Sequence, residues 1–156
     1  MENNFLSAFK RIISTQKKIV IIPHRNPDGD ALGSALALKH FLEAKKHKVN
    51  IVSPNDYPTF LKWLPGESDI IKFSKKPSIA RDKINNAELI FGLDFNSLSR
   101  IQDLSEIVKK TNVDKIMIDH HESPEFFANL NYSDPSMSST CEMVYNIINA
   151  SDSKLL

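Results

Sequence analysis

The chain has 156 residues, enough for one core that buries most of its apolar surface and too few for two domains of typical size. Lysine and arginine total 20 against 19 aspartate and glutamate, so no net positive field exists to capture long duplex nucleic acid. With 41% hydrophobic and 25% charged residues the chain is neither disordered nor fibrous in composition.

The N-terminal residues lack the continuous apolar stretch of a signal peptide and read as a short amphipathic helix. Lys18-Ile-Val-Ile-Ile-Pro23 is a β-branched run ending at a proline, which predicts a strand buried on both faces. Ala31, Ala35, Leu38 and Leu42 then recur at helical spacing within 30–46, and Leu32, Leu36 and Phe41 widen the apolar surface into that of a well-buried helix. Lys45, Lys46, His47 and Lys48 crowd its C-terminal end, where cations oppose the negative pole of the helix dipole. His40 and His47 are assigned to an ordinary solvated face.

Residues 49–53 form a second strand, and three prolines, Pro54, Pro58 and Pro65, make 54–66 a loop with a short helix near 60–64. A third strand is expected at 69–73, a helix at 77–86 and a strand at 88–93 that runs directly into Asp94. Lys75 and Lys76 are read as a solvated pair without the aromatic interleaving of a base-stacking surface. A helix over 104–110, an apolar strand over 115–118 ending in Asp119-His120-His121, a polar stretch and a last helix over 139–150 complete the chain. The longest apolar runs, such as 19–22, fall far below the roughly 20 residues that cross a bilayer.

Strands alternating with helices predict an α/β fold: an open, mainly parallel sheet with helices on both faces, in a Rossmann-like layering. Ligands of such sheets bind beyond the carboxyl ends of the strands. Three predicted strands end there in chemistry-bearing residues: His24 to Asp30 after the first, Asp94 after the fourth, and Asp119, His120 and His121 after the fifth. Singly, each has a plain structural reading, since Asp28 and Gly29 suit a turn, Asp30 a helix cap, and Asp94 a turn or cap. Together they form one crevice. Four converging carboxylates would repel one another unless cations neutralise them. Imidazole and carboxylate without thiolate suit Mn²⁺, Fe²⁺, Zn²⁺ or Co²⁺ ahead of Mg²⁺, and manganese is favoured. Asp28 and Asp30 can face different ions, with Asp94 bridging a pair about 3.5–4 Å apart.

Taken together, Pro23-His24-Arg-Asn26-Pro-Asp28-Gly-Asp30-Ala-Leu-Gly33-Ser34, Asp94 with Arg100 six positions on, and Asp119-His120-His121 resemble the DHH phosphoesterase superfamily. The motifs occur in the family's order, and the likeness extends over about residues 15–150. It is strongest to the nanoRNase and pAp phosphatase branch. The resemblance implies His24 and Asp28 on a first metal, Asp30 and His120 on a second, and Asp94 bridging both. It further implies that His121 contacts or protonates the phosphate, that Asp119 orients His120, and that Arg100 contacts phosphate or, equally, forms a surface salt bridge.

Two departures stand out. The family's fourth motif, an aspartate in a Gly-x-x-x-Asp-Thr-Gly-like segment, has no counterpart after Asp134, and only four glycines are present where a Gly-rich second domain is expected. The 156 residues are therefore read as a single N-terminal DHH domain of a longer chain, weakly active or inactive alone. The implied activity is hydrolysis of short RNA oligonucleotides or adenosine 3′,5′-bisphosphate by a water activated by two metals. Inorganic pyrophosphatase, polyphosphatase, cyclic-dinucleotide phosphodiesterase and a non-catalytic nucleotide- or metal-binding module are the alternatives. The expected partners are short oligonucleotides or small nucleotides, with no membrane partner, and a homodimer stays open. Cys141, the single cysteine, excludes an intramolecular disulfide and fits a reducing cytoplasm.

Overall fold

A computed structural model describes residues 3–152. Six strands, β1 (Lys18–Pro23), β2 (Lys48–Ser53), β3 (Ile71–Lys72), β4 (Leu89–Leu93), β5 (Asp114–Asp119) and β6 (Leu130–Ser133), make one sheet in the order β3-β2-β1-β4-β5-β6. Every pair is parallel. Five α-helices accompany them: α1 (Asn3–Ile12), α2 (Gly29–Ala44), α3 (Pro77–Asn85), α4 (Leu104–Lys110) and α5 (Thr140–Asp152). The strand order reverses between β1 and β4, which opens a crevice at their carboxyl ends.

The apolar run of β1 is continuous because both faces of the sheet are covered. Ile19 and Ile21 enter one core with Phe9 of α1, Leu38 and Leu42 of α2, and Val144 and Ile147 of α5. Val20 and Ile22 point the other way, into a core with Ala80 and Ile84 of α3 and Leu104 and Val108 of α4. Each such aliphatic side chain contributes about 1.5–3 kcal/mol by leaving water. Two sandwiching cores thus fix the strand ends that carry the polar motifs.

Helix α2 begins where the Asp28 carboxylate accepts the amides of Asp30 and Ala31, both at 3.0 Å. It ends where Lys46 takes a left-handed φ of 73° and turns the chain toward β2. Its buried residues include Ala31, Leu32, Ala35, Leu36, Leu38, Phe41 and Leu42, so the expected broad apolar surface is realised. Lys45 at its end does more than face the dipole: it contacts Asp152 of α5 at 2.5 Å and lies over the Phe41 ring.

Four expectations need correction. The strand expected at 69–73 shrinks to the two residues of β3, because Glu67–Asp69 instead forms a 3₁₀ turn. β6 lies in what reads as a polar stretch; as an edge strand it has only Tyr132 buried in alternation with Asn131 and Ser133. His47 is buried rather than solvated. Its Nδ1 accepts the Lys17 amide at 3.2 Å, and burial and the Lys17 charge together hold its pKa below 6.5. Lys75 is ion-paired with Asp56 rather than simply solvated.

Candidate metal centre

The carboxyl ends of β1, β4 and β5 bring the three polar motifs together. His24 follows β1, the loop after it supplies Asp28 and Asp30, Asp94 follows β4, and Asp119 closes β5 ahead of His120 and His121. Asp94 is 2% exposed and holds a left-handed φ of 64°, a conformation short polar side chains tolerate and one that often marks a functional position. Its amide donates to the Ile118 carbonyl at 3.0 Å, which locks this turn to the end of β5.

The two oxygens of Asp94 face different neighbours. Oδ2 lies 3.5 Å from Nε2 of His24, whose ring is in turn 4.0 Å from an Asp28 oxygen. Oδ1 lies 3.5 Å from Nε2 of His120, which stands 3.6 Å from an Asp30 oxygen. Donor atoms of His24, Asp28 and Asp94 all fall within 4.8 Å of one another, as do those of Asp94, His120 and His121. One buried carboxylate therefore belongs to two ligand-like groups. The donors are imidazoles and carboxylates without thiolate, a set that fits a hard to borderline divalent cation.

Electrostatics follow from this crowding. Burial acts to lower the His24 pKa, but the Asp94 hydrogen bond, the Arg25 carbonyl and the charges of Asp94 and Asp28 outweigh it, so His24 is raised above 6.5. Burial, with the hydrogen bond to the Asp30 carboxylate and its charge, pushes the Cys141 thiol up to about 12, so it stays protonated and is a poor ligand or nucleophile. The cluster is closed at its floor and open at its rim: Asp119 is fully buried, whereas Asp28 is exposed and His121 half-exposed.

Asp119 differs from its expected place. Its Oδ1 accepts Nδ1 of His121 at 2.7 Å and its Oδ2 accepts the His121 amide at 2.9 Å, so it orients His121 and not His120. Because a carboxylate can only accept, the His121 proton resides on Nδ1 in the neutral ring. Arg100 is exposed at the end of a 3₁₀ turn (Leu98–Ile101) and forms no ion pair among the described residues. Its carbonyl accepts the Arg25 amide at 2.8 Å, which sets this turn beside the His24 loop.

Several supporting residues escaped the sequence reading. The hydroxyl of fully buried Thr140 donates to Asp94 Oδ1 at 2.9 Å. The Asp30 carboxylate accepts the amides of Thr140 and Cys141 at 2.9 and 2.7 Å, which seats it on the N-terminus of α5. Asn96 donates to the carbonyls of His121 and Glu122 at 3.1 and 2.9 Å and steadies the loop after β5. Asn55, just past β2, exchanges hydrogen bonds with Asn26, 2.7 Å to its amide and 2.6 Å to its side chain. Only Thr140 carries a readable signal: Ser139 and Glu142 mark a helix start, and a helix start is a seat for a carboxylate.

Residues 18–155 match the model of the DHH family, N-terminal domain, and the chain belongs to that family of phosphoesterases. A solved exopolyphosphatase-related protein from Bacteroides fragilis superposes with a TM-score of 0.94 at 42% identity, covering 97% of this chain and 44% of that one. Among curated proteins, the bifunctional oligoribonuclease and PAP phosphatase NrnA of Thermus thermophilus is 32% identical over 130 residues, 83% of this chain and 36% of its own length. The cyclic-di-AMP phosphodiesterase PdeA of Listeria monocytogenes is 27% identical over 145 residues, 88% of this chain and 22% of its own. The chain thus spans less than half the length of each of these relatives. Among the described residues no helix is long and apolar enough to cross a membrane.

Proposed function

We propose that this chain is the metal-binding domain of an enzyme that hydrolyses phosphoester bonds of short RNA oligonucleotides or of adenosine 3′,5′-bisphosphate, using two divalent cations, manganese by preference. The observation that carries this reading is the split of Asp94, one oxygen toward His24 and Asp28 and the other toward His120. His24, Asp28 and Asp94 would hold the first ion, and Asp30, His120 and Asp94 the second. His121 falls within the second group, but its Nδ1 is already committed to Asp119, which leaves Asp30 as the better ligand. Two cations so held supply Lewis-acid polarisation of phosphoryl oxygens and a lowered pKa for water.

The chain's own residues do the rest. Asp119 fixes the His121 ring with Nε2 turned away from it, where the cationic ring can hold a proton for the leaving oxygen. Arg100, exposed and unpaired among the described residues, supplies a fork for phosphate oxygens at the rim. Thr140 holds Asp94 in the rotation that presents both oxygens. The oligoribonuclease and PAP phosphatase relative favours these substrates, while the cyclic-di-AMP phosphodiesterase relative keeps a cyclic dinucleotide as the second reading. A reducing cytoplasm is the setting we infer for both.

The test is calorimetry with Mn²⁺, coupled to phosphate release from adenosine 3′,5′-bisphosphate and mononucleotide release from a trinucleotide. Two ions per chain are expected in the wild type. Asp94→Asn should weaken both and lower turnover by more than about 100-fold, beyond what losing a supporting partner costs. Arg100→Ala should cost less and leave metal binding unchanged. Wild-type Mn²⁺ affinity in Asp94→Asn would refute the shared-carboxylate reading; binding of metal and nucleotide without turnover, in the full-length enzyme as well as in these 156 residues, would make the domain a binding module.

A further inference from the structure

Beside the His24 loop stands a second feature that the metal chemistry does not use. Phe60 and Trp63 are 71% and 76% exposed, and neither makes a ring contact or side-chain hydrogen bond among the described residues. Backbone hydrogen bonds from Leu61 to Pro58 and from Lys62 to Thr59 wind Thr59–Leu61 as a single 3₁₀ turn, and Trp63 follows in a further turn closed by the bond from Leu64 to Leu61. Both rings therefore stand in water on one short surface segment, three positions apart in the chain.

The segment is fastened to the metal loop. Leu61, between the two rings in sequence, is buried, and its Cδ2 lies 3.9 Å from where a side chain on Gly29 would begin, between Asp28 and Asp30. The paired Asn26 and Asn55 amides join the same two loops. Phe60 is one residue, about 3.8 Å of chain, from that contact.

The segment is also rigid. Tyr57 donates its hydroxyl to buried Glu67 at 2.6 Å, Lys72 reaches Glu67 at 3.1 Å and covers the Tyr57 ring, and Asp56 pairs with Lys75. Pro54, Pro58 and Pro65 restrict the backbone further. Two large aromatic faces are therefore held in water by a stapled loop at the edge of an anion-handling site. Pre-ordering of this kind lowers the cost of binding a flat partner.

We propose that Phe60 and Trp63 form a stacking platform for a nucleobase of the substrate, so that the site takes nucleotides rather than bare phosphates. This rests on the phosphoesterase reading above and narrows its substrate class. Every base offers a π face, so the platform is tolerant of sequence and suits short single-stranded RNA or a mononucleotide. Inorganic pyrophosphate and polyphosphate gain nothing from it.

Trp63 is the only tryptophan, so its emission reports the platform directly and without turnover. The chain loaded with Mn²⁺ is titrated with adenosine 3′,5′-bisphosphate and, separately, with ribose 3,5-bisphosphate lacking the base, and binding of each is measured by calorimetry. The adenosine compound should quench Trp63 saturably, while the base-less one should bind and leave emission unchanged. Phe60→Ala and Trp63→Ala should each weaken the adenosine compound about 5- to 140-fold, the equivalent of roughly 1–3 kcal/mol per stacked base, without affecting the base-less one. Equal affinities for the two compounds, unmoved emission and neutral variants would overturn the platform and leave the metal-site reading standing. Failure of both compounds to bind with Mn²⁺ would overturn the phosphoesterase reading and the platform with it. Emission that shifts with protein concentration alone, with a dimer in sedimentation, would assign the rings to self-association instead.

Discussion

Thr140→Val is the sharpest probe of how the centre is held. The substitution keeps size and β-branching and deletes one hydroxyl, which donates to Asp94 at 2.9 Å from a fully buried position. A hydrogen bond to a charged group is worth about 1.5–3 kcal/mol, and here the acceptor is itself 2% exposed, so water cannot replace the donor. For a domain of this size each kcal/mol moves the melting temperature roughly 2–4 °C. The variant should therefore melt about 3–12 °C lower without metal. If the bond also aims Asp94, Mn²⁺ should bind about 10–100-fold more weakly, the usual cost of removing a group that orients a ligand. Thr140→Ser keeps the hydroxyl and separates the two effects: it should lose some packing but hold Mn²⁺ as the wild type does. Circular-dichroism melts and Mn²⁺ calorimetry on the three proteins decide the matter. A Val variant that melts within a degree of wild type and binds Mn²⁺ equally would show that the hydroxyl neither stabilises nor positions Asp94.

Asp28 combines two roles that substitution can part. Asp28→Ala should lose about 0.5–2 kcal/mol of stability with the α2 cap as well as Mn²⁺ affinity, whereas Asp28→Asn should keep the cap and lose only the affinity; an Asn variant that binds Mn²⁺ like wild type would remove Asp28 from the ligand set. Asp56 governs acid stability of the 54–66 loop, since its hydrogen bond with Lys75 holds its carboxyl down at about 2 against an ordinary 3.8. A depressed folded-state pKa gives stability that is complete above the ordinary value and lost as pH falls toward 2, so Asp56→Asn should flatten the stability profile below pH 4. Parallel acid titrations of the two proteins would contradict this.

How much was legible beforehand differs between backbone and site. β1, α2, β4, α4 and β5 announce themselves because buried elements of a two-faced sheet must be continuously or periodically apolar. Convergence of His24, Asp28, Asp30, Asp94 and His120 followed from parallel topology alone, since parallel strands place their carboxyl ends along one edge. β6 did not announce itself, because an edge strand needs only one inward side chain and Tyr132 supplies it among polar neighbours. His47 was misjudged on its basic neighbours, because its place just ahead of β2, beside the segment leading into β1 whose Lys17 amide it accepts, is set by long-range pairing. The partner of Asp119 turned on side-chain direction after a strand end, where adjacent His120 and His121 diverge and only one can reach back. Asn55 and Asn96 act through contacts far along the chain, which no local pattern encodes, and for Thr140 the pattern marks only the helix start and not its partner Asp94.

The seating of Asp30 on α5 has a kinetic consequence. Its two amide donors lie 110 and 111 residues along the chain, close to the last element described. Asp30 cannot be oriented until α5 docks, and neither can Asp94, whose hydroxyl donor is on the same helix turn. Contacts of such separation form late, because long loops must close before they are rewarded. Before α5 docks, the His24 motif therefore lacks the amide and hydroxyl donors that orient Asp30 and Asp94. Were the centre to hold cations as proposed, ion capture and completion of the fold would be coupled.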